Sequence, residues 1–204
     1  MTTHTIRAIR AERRTRLAVL VAGALLASGA SVPAPTAATP ATAPAHAPLA
    51  EAVVVLAPAS GSLVSGQLQL HPQADGLRLT GTIGGFAPGS QHGFHVHEHG
   101  DCRAADASSA GGHFNPAAAP HGRMGHGLHH AGDVDNLQAD AAGVAHVDLV
   151  LPGLTLGDGG ADDVLGRAFI VHADADDYRS QPAGNAGARV ACGVIRAAGT
   201  NAAP

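Results

Sequence analysis

Histidine is the side chain most able to do chemistry in this sequence. Fourteen are present, and nine of them fall between His92 and His130. Neutral imidazole binds copper and zinc well at physiological pH. His95-Val96-His97 reads as part of a strand, where residues i and i+2 point to one side, so both rings can reach one ion from a rigid backbone. His99 continues the spacing, although Gly100 breaks the strand pattern. His113 sits in Gly111-Gly112-His113-Phe114-Asn115-Pro116, and His172 closes the apolar run Ala168-Phe169-Ile170-Val171. A strand face of solvated histidines would share the H-x-H spacing, and His172 alone reads as a polar strand-end residue.

A second set is His113, His121, His130 and Asp133. Three imidazoles and a carboxylate suit tetrahedral zinc. With four protein ligands and no open position, such a zinc would be structural. The alternative is a His-rich loop that holds metal loosely.

The elements that must carry these groups are strands. Alternating or β-branched segments cover 52–56, 66–71, 76–83, 91–97, 144–151, 166–172 and 189–195. Asp75-Gly76 predicts a tight hairpin turn between the second and third. No segment holds a 3.6-residue amphipathic period over twelve residues. Short strands joined by Gly- and Pro-rich turns, without βαβ alternation, predict an all-β sandwich or barrel. The stretch from about 100 to 136 is poor in strand signal, so metal and a disulfide are expected to pin it. Four Phe, one Tyr and no Trp leave the core to Val, Leu, Ile and Ala.

The N-terminus has another purpose. Arg7, Arg10, Arg13, Arg14 and Arg16 precede the apolar run 17–27 and the small residues Ser28-Gly29-Ala30. This is the layout of a secretory signal peptide over 1–30, too short in its apolar part for a membrane span. Arg13-Arg14 leaves twin-arginine export open beside the general route. Residues 31–50, rich in Ala, Pro and Thr, predict a disordered tether, followed by one domain over 51–197 and a flexible tail over 198–204. After residue 30, seven Arg against fifteen Asp and Glu leave a formal charge of −8. That balance excludes nucleic acid as a natural partner. Export also bears on Cys102 and Cys192, the only cysteines: an even pair in an oxidising compartment favours one disulfide, with two buried thiols as the alternative.

Taken together, these motifs resemble the copper/zinc superoxide dismutase family. The matching runs are Gly93-Phe94-His95-Val96-His97-Glu98, Gly111 to Pro116, Gly132-Asp133, Val171-His172 to Asp177, and Gly184 to Ile195. The resemblance implies an eight-stranded antiparallel Greek-key β-barrel, an immunoglobulin-like sandwich with long metal-binding loops. It implies copper on His95, His97, His113 and His172, and zinc on His113, His121, His130 and Asp133, with His113 bridging the two. Asp176 would accept hydrogen bonds from one histidine of each site. Cys102 would pair with Cys192, and Arg189 would guide the anion to copper. The implied reaction turns two superoxide anions into dioxygen and hydrogen peroxide, with His113 leaving copper and taking a proton on reduction. The implied place is the periplasm or outside the cell, as a monomer or homodimer without stable membrane insertion after leader cleavage.

Two points stand apart from that pattern. The segment between Asp177 and Arg189 is short and lacks Lys, as in bacterial relatives, so steering falls to Arg189 with Arg103, Arg123 or Arg179. The surplus histidines are expected elsewhere: His126 and His129 close enough to His130 for a ligand swap, although the family's spacing to Asp133 matches His130; His99 lining the site or surface, His92 in structural hydrogen bonds, His71 and His146 on polar strand faces. A copper- or zinc-binding buffer or chaperone without turnover is the competing function. It needs no anion guide beside the metal.

Overall fold

The computed structural model describes residues 49–199. The leader expected over 1–30, nearly all of the tether and the end of the tail lie outside these residues. Among them are ten strands: β1 (Ala52–Pro58), β2 (Ser65–Gln73), β3 (Gly76–Gly84), β4 (Gln91–His92), β5 (Phe94–His97), β6 (Leu137–Gln138), β7 (Val144–Pro152), β8 (Ala168–His172), β9 (Arg189–Val194) and β10 (Arg196–Ala197). One 3-10 turn, Ser108–Ala110, interrupts the long loop after β5. No helix among the described residues is long and apolar enough to cross a membrane.

The main sheet runs β5-β8-β9-β1-β2-β3-β7, with β10 also on β1. All its pairs are antiparallel. The non-sequential order is that of a Greek key. β4 pairs with β6 in a small second sheet, and the Ala139–Ala145 bridge joins β6 to β7. The strongly curled sheet, open between its end strands β5 and β7, has the form of a flattened Greek-key barrel.

Alternation decides what faces inward. Ala52, Val54 and Leu56 of β1, Leu68 and Leu70 of β2, Leu77, Leu79 and Ile83 of β3, and Val147 and Leu151 of β7 are buried in one core. Phe94 and Phe169 stack within it, with ring centroids 4.8 Å apart. Each buried Val, Leu, Ile or Phe contributes about 1.5–3 kcal/mol by leaving water. The aliphatic core is as expected from composition, but two of the four Phe anchor it between β5 and β8.

β5 and β8 are buried along their whole length. Their inner residues meet the core. On the outer side, Ala168 and Ile170 pack with Ala59, Ala107, Ala110 and Cys192, next to Cys102. The loop after β5 therefore lies over the barrel wall. Cys102 and Cys192 form a disulfide 90 residues apart in sequence, with Cα atoms 5.8 Å apart.

Beyond extensions of one or two residues at β1, β2, β3 and β7, the expected strand bounds shift in four places. The 91–97 segment divides at Gly93, whose N–H donates to Asp174 O while its own carbonyl accepts from His172 N–H. The hairpin turns one residue early, since Gln73 pairs with Gly76. β8 starts at Ala168 because Gly166 takes a left-handed φ of 76°. The last segment divides at Ile195, whose N–H donates to Arg167 O, and β10 follows.

Opening a 90-residue loop removes about 4 kcal/mol of stability in the chain-entropy account. Urea unfolding of the metal-free domain, oxidised and reduced, is expected to differ by that order. An unchanged midpoint would show that packing under the loop suffices without the covalent link.

Candidate metal centre

His95 and His97 point to the outer side of β5, under the loops, while Phe94 and Val96 face the core. They are 0% and 1% exposed, which rules out a solvated polar face. β8 delivers His172 from the neighbouring strand. A β-bulge near Val190 shifts the register so that His172 lies opposite Arg189. Bulges often re-aim a side chain in this way. The loop returns to β5 through the His97–His113 and His95–Asp133 bridges, which bring the second set alongside the first.

Each ring in the first set spends one nitrogen on the protein. His95 Nε2 donates to Asp176 Oδ2 at 2.8 Å, His97 Nδ1 to Gly111 O at 2.9 Å, and His172 Nδ1 to Gly187 O at 3.3 Å. His113 Nδ1 lies 2.8 Å from Asp133 Oδ1. The other nitrogens, His95 Nδ1, His97 Nε2, His113 Nε2 and His172 Nε2, are buried and have no hydrogen-bond partner. Among the described residues they are the only buried side-chain N or O atoms in that condition. One orphan costs about 1–3 kcal/mol, so four converging ones mark a place for an electron-pair acceptor. Ligand atoms of His95, His97, His113 and His172 lie within 4.8 Å of one another.

The second set converges as tightly. Asp133 Oδ1 is 2.8 Å from His113 Nδ1, 3.0 Å from His121 Nδ1 and 3.3 Å from His130 Nδ1. His113 Nδ1 and His130 Nδ1 are themselves 3.4 Å apart. Around a zinc ion bound at about 2.0–2.1 Å, the edges of a tetrahedron measure about 3.3 Å. Three nitrogens crowding one oxygen make a poor hydrogen-bond arrangement and a good ligand shell. Asp133 Oδ2 is fixed separately by the N–H groups of Gly122 and His130. The donors therefore fit a copper ion beside a zinc ion, with His113 offering Nε2 to one and Nδ1 to the other.

Asp176 ties the sets together. Its Oδ2 accepts from His95 and its Oδ1 from His121 Nε2 at 3.0 Å. Asn136, which carries no marker in the sequence, grips the Asp176 backbone at both ends: Nδ2 donates to its carbonyl and Oδ1 accepts its N–H. Gly184, at φ 65°, lies so close to Asp176 that a Cβ there would collide with Oδ1.

Burial favours neutral rings. It pushes the His97 pKa down to about 2, His172 to about 3 and His113 to about 4. Burial also works against the charged carboxylate of Asp133, yet hydrogen bonds from His113, His121 and His130 hold it far below the usual range. Asp176 is lowered similarly, against its burial, by His121 and His95. At His121 burial is overcome by Asp133 and Asp176, and its pKa rises to about 9.

A cleft opens on the first set, lined by His97, His113, His172, Pro182, Ala183 and Arg189 among others. Arg189 Nη1 donates to Ala107 O at 2.7 Å and Nη2 to Gly111 O at 2.6 Å. Gly111 O thus receives both Arg189 and His97. The Arg189 cation makes no ion pair within the described residues.

The remaining histidines among the described residues stand outside both clusters. His92 Nδ1 donates to His172 O, its Nε2 meets Ser90 Oγ, and the ring stacks on Phe86. His99 is exposed, and His146 faces Asp140 at 3.4 Å on the surface. His129 Nδ1 turns to the His130 carbonyl, and His126 is exposed. Arg103 pairs with Asp101 and Arg123 with Asp135, which partly cancels their fields.

Residues 64–195 match the family described as copper/zinc superoxide dismutase. The chain is 39% identical over 136 residues to a Cu-Zn superoxide dismutase of Aquifex aeolicus (strain VF5), covering 65% of this chain and 80% of that one. It is 39% identical over 146 residues to a Cu-Zn superoxide dismutase of Onchocerca volvulus, covering 66% and 90%. The crystal structure of a SOD-like protein from Bacillus subtilis superposes with a TM-score of 0.63 at 37% identity, covering 69% and 95%. With two adjoining His/Asp clusters on this barrel, the chain belongs to the copper/zinc superoxide dismutase family.

Proposed function

We propose that the protein dismutes superoxide at copper held by His95, His97, His113 and His172, beside zinc held by His113, His121, His130 and Asp133. The observation that carries this reading is the set of four unpartnered ring nitrogens beside a cleft that also holds an unpaired cation, Arg189. Copper bound there supplies one-electron redox chemistry, oxidising one superoxide to dioxygen and reducing a second, with two protons, to hydrogen peroxide.

The chain's own groups do the rest. Arg189 has N–H donors beyond the two held by Ala107 and Gly111, and its charge attracts the anion into a cleft on an otherwise acidic domain. His113 Nε2 is the nitrogen at which a proton could be held and passed on, since Nδ1 faces the second cluster and would be occupied by zinc there. Asp176 and Asn136 keep the rings aimed. The basic, apolar start of the chain supports export, to the periplasm or beyond, where the disulfide persists.

The direct test follows the decay of pulse-generated superoxide with one copper and one zinc bound per chain. Superoxide dismutase is itself a known example of an enzyme working near the diffusion limit, so copper-dependent decay in that regime supports the reading. Decay no faster than free-copper controls leaves a metal store or carrier instead.

Three outcomes follow. Arg189→Ala is expected to slow decay at least about tenfold and flatten its salt dependence, since the local charge is gone; a full rate with an unchanged salt slope would remove Arg189 from the mechanism. Asp176→Asn is expected to weaken zinc binding about 10–100-fold, the usual cost of losing such a partner, as read by chelator competition. In the metal-free domain, stability depends on pH with opposite signs. His97, His113 and His172 have lowered pKa values, so the unfolded chain binds more protons below about pH 6.5 and stability falls there with pH. His121 has a raised pKa, so its contribution is lost as pH rises toward about 9. Thermal unfolding should thus peak near neutral pH, and a melting temperature that climbs steadily from about pH 6.5 to about pH 4 would contradict this.

A further inference from the structure

Gln181 makes a contact that the metal sites do not need for ligation. Its Oε1 accepts the His121 N–H at 2.8 Å and its Nε2 donates to the His121 carbonyl at 2.9 Å, across 60 residues of sequence. One side-chain amide thereby occupies both backbone groups of a residue in the second cluster. The next two residues, Pro182 and Ala183, line the cleft over the first cluster, together with His97 and His172.

The segment around Gln181 is internally knitted. Asp177 Oδ1 accepts the N–H groups of Arg179 and Ser180, and Oδ2 accepts Ser180 Oγ–H. Asn185 Nδ2 donates to Ser180 Oγ, and the backbone closes through Gly184 N–H to Ser180 O and Asp177 N–H to Gly184 O. Such a unit moves as one piece. It is held to the zinc-binding loop at two places: Asn136, whose N–H donates to Tyr178 Oη and whose amide grips the Asp176 backbone, and His121, whose backbone only the Gln181 amide engages.

We propose that Gln181 is a positioning residue that transmits occupancy of the zinc site to the wall of the copper cleft. Zinc fixes His121, His121 fixes Gln181, and Gln181 sets where Pro182 and Ala183 stand over the anion's path. This rests on the metal assignment above. It adds that access to copper is governed by a backbone clamp separate from the ligands and from Asp176.

The test uses azide as the anion and copper-loaded protein with and without zinc, in the wild type, Gln181→Met and Gln181→Glu. Met keeps the length and removes both hydrogen bonds; Glu keeps the acceptor for the His121 N–H and removes the donor. Electron paramagnetic resonance of Cu(II) first reports the copper geometry, which neither change should alter. Couplings between sites commonly span about 5–150-fold. Zinc is expected to change azide affinity at least about fivefold in the wild type, with that factor reduced at least about threefold in Gln181→Met and less in Gln181→Glu. The charge of zinc acts in all three proteins, so a difference between them reads the clamp. Equal zinc effects in wild type and Gln181→Met, with normal copper spectra, would overturn the proposal and leave the dismutase reading intact. Copper spectra changed by Gln181→Met would also overturn it, because Gln181 would then be shaping the ligands.

Discussion

A buried imidazole has two nitrogens, and each needs a partner. In this protein every ring of the first cluster gives one nitrogen to a carboxylate or a carbonyl and leaves the other unpaired in the same small volume. The rest of the structure serves that division. β5 and β8 supply rigid backbone for three of the rings, and the loop after β5 returns to supply His113. Because the protein-side partner fixes which nitrogen is left, it also fixes tautomer and direction. Gly111 and Gly187 contribute only carbonyls, yet they decide that Nε2 of His97 and His172 is the nitrogen left free.

Two carboxylates then bind the clusters into one unit. Asp133 faces three rings, and Asp176 spans the sets through His95 and His121. Both remain ionised despite burial, since each is surrounded by N–H donors. The same burial that holds His97, His113 and His172 neutral makes them ready ligands, with no proton to displace at neutral pH. Stability and function pull on the same groups here. Without metal, the domain carries four unsatisfied nitrogens and a crowded oxygen; with metal, those become bonds that add to folding free energy.

Much of this was legible in the chain itself. The H-x-H spacing placed His95 and His97 on one strand face, and the alternating segments located the barrel. The family's spacing to Asp133, rather than periodicity, distinguished His130 from His129, because both lie in the same polar loop and differ only in which reaches Asp133. Other parts had no local signature. The 91–97 strand splits because Gly93 is gripped by Asp174 and His172, partners distant in sequence. Asn136 and Gln181 are single amides in polar loops, and nothing in their neighbours says that each spans both backbone groups of a residue 40 or 60 positions away. The bulge that turns Arg189 toward His172 depends on strand register, which arises only when β8 and β9 pair.

His113 is the one imidazole common to both clusters, placed to be shared between two metal ions. Loading Cu(II) into both sites and recording the electron paramagnetic resonance spectrum tests that sharing most directly. A shared imidazolate couples the two spins, so the ordinary single-copper signal should be strongly diminished, and should return when His113 is replaced by Ala with copper retained. Two full, independent Cu(II) signals in the unaltered protein would contradict the account.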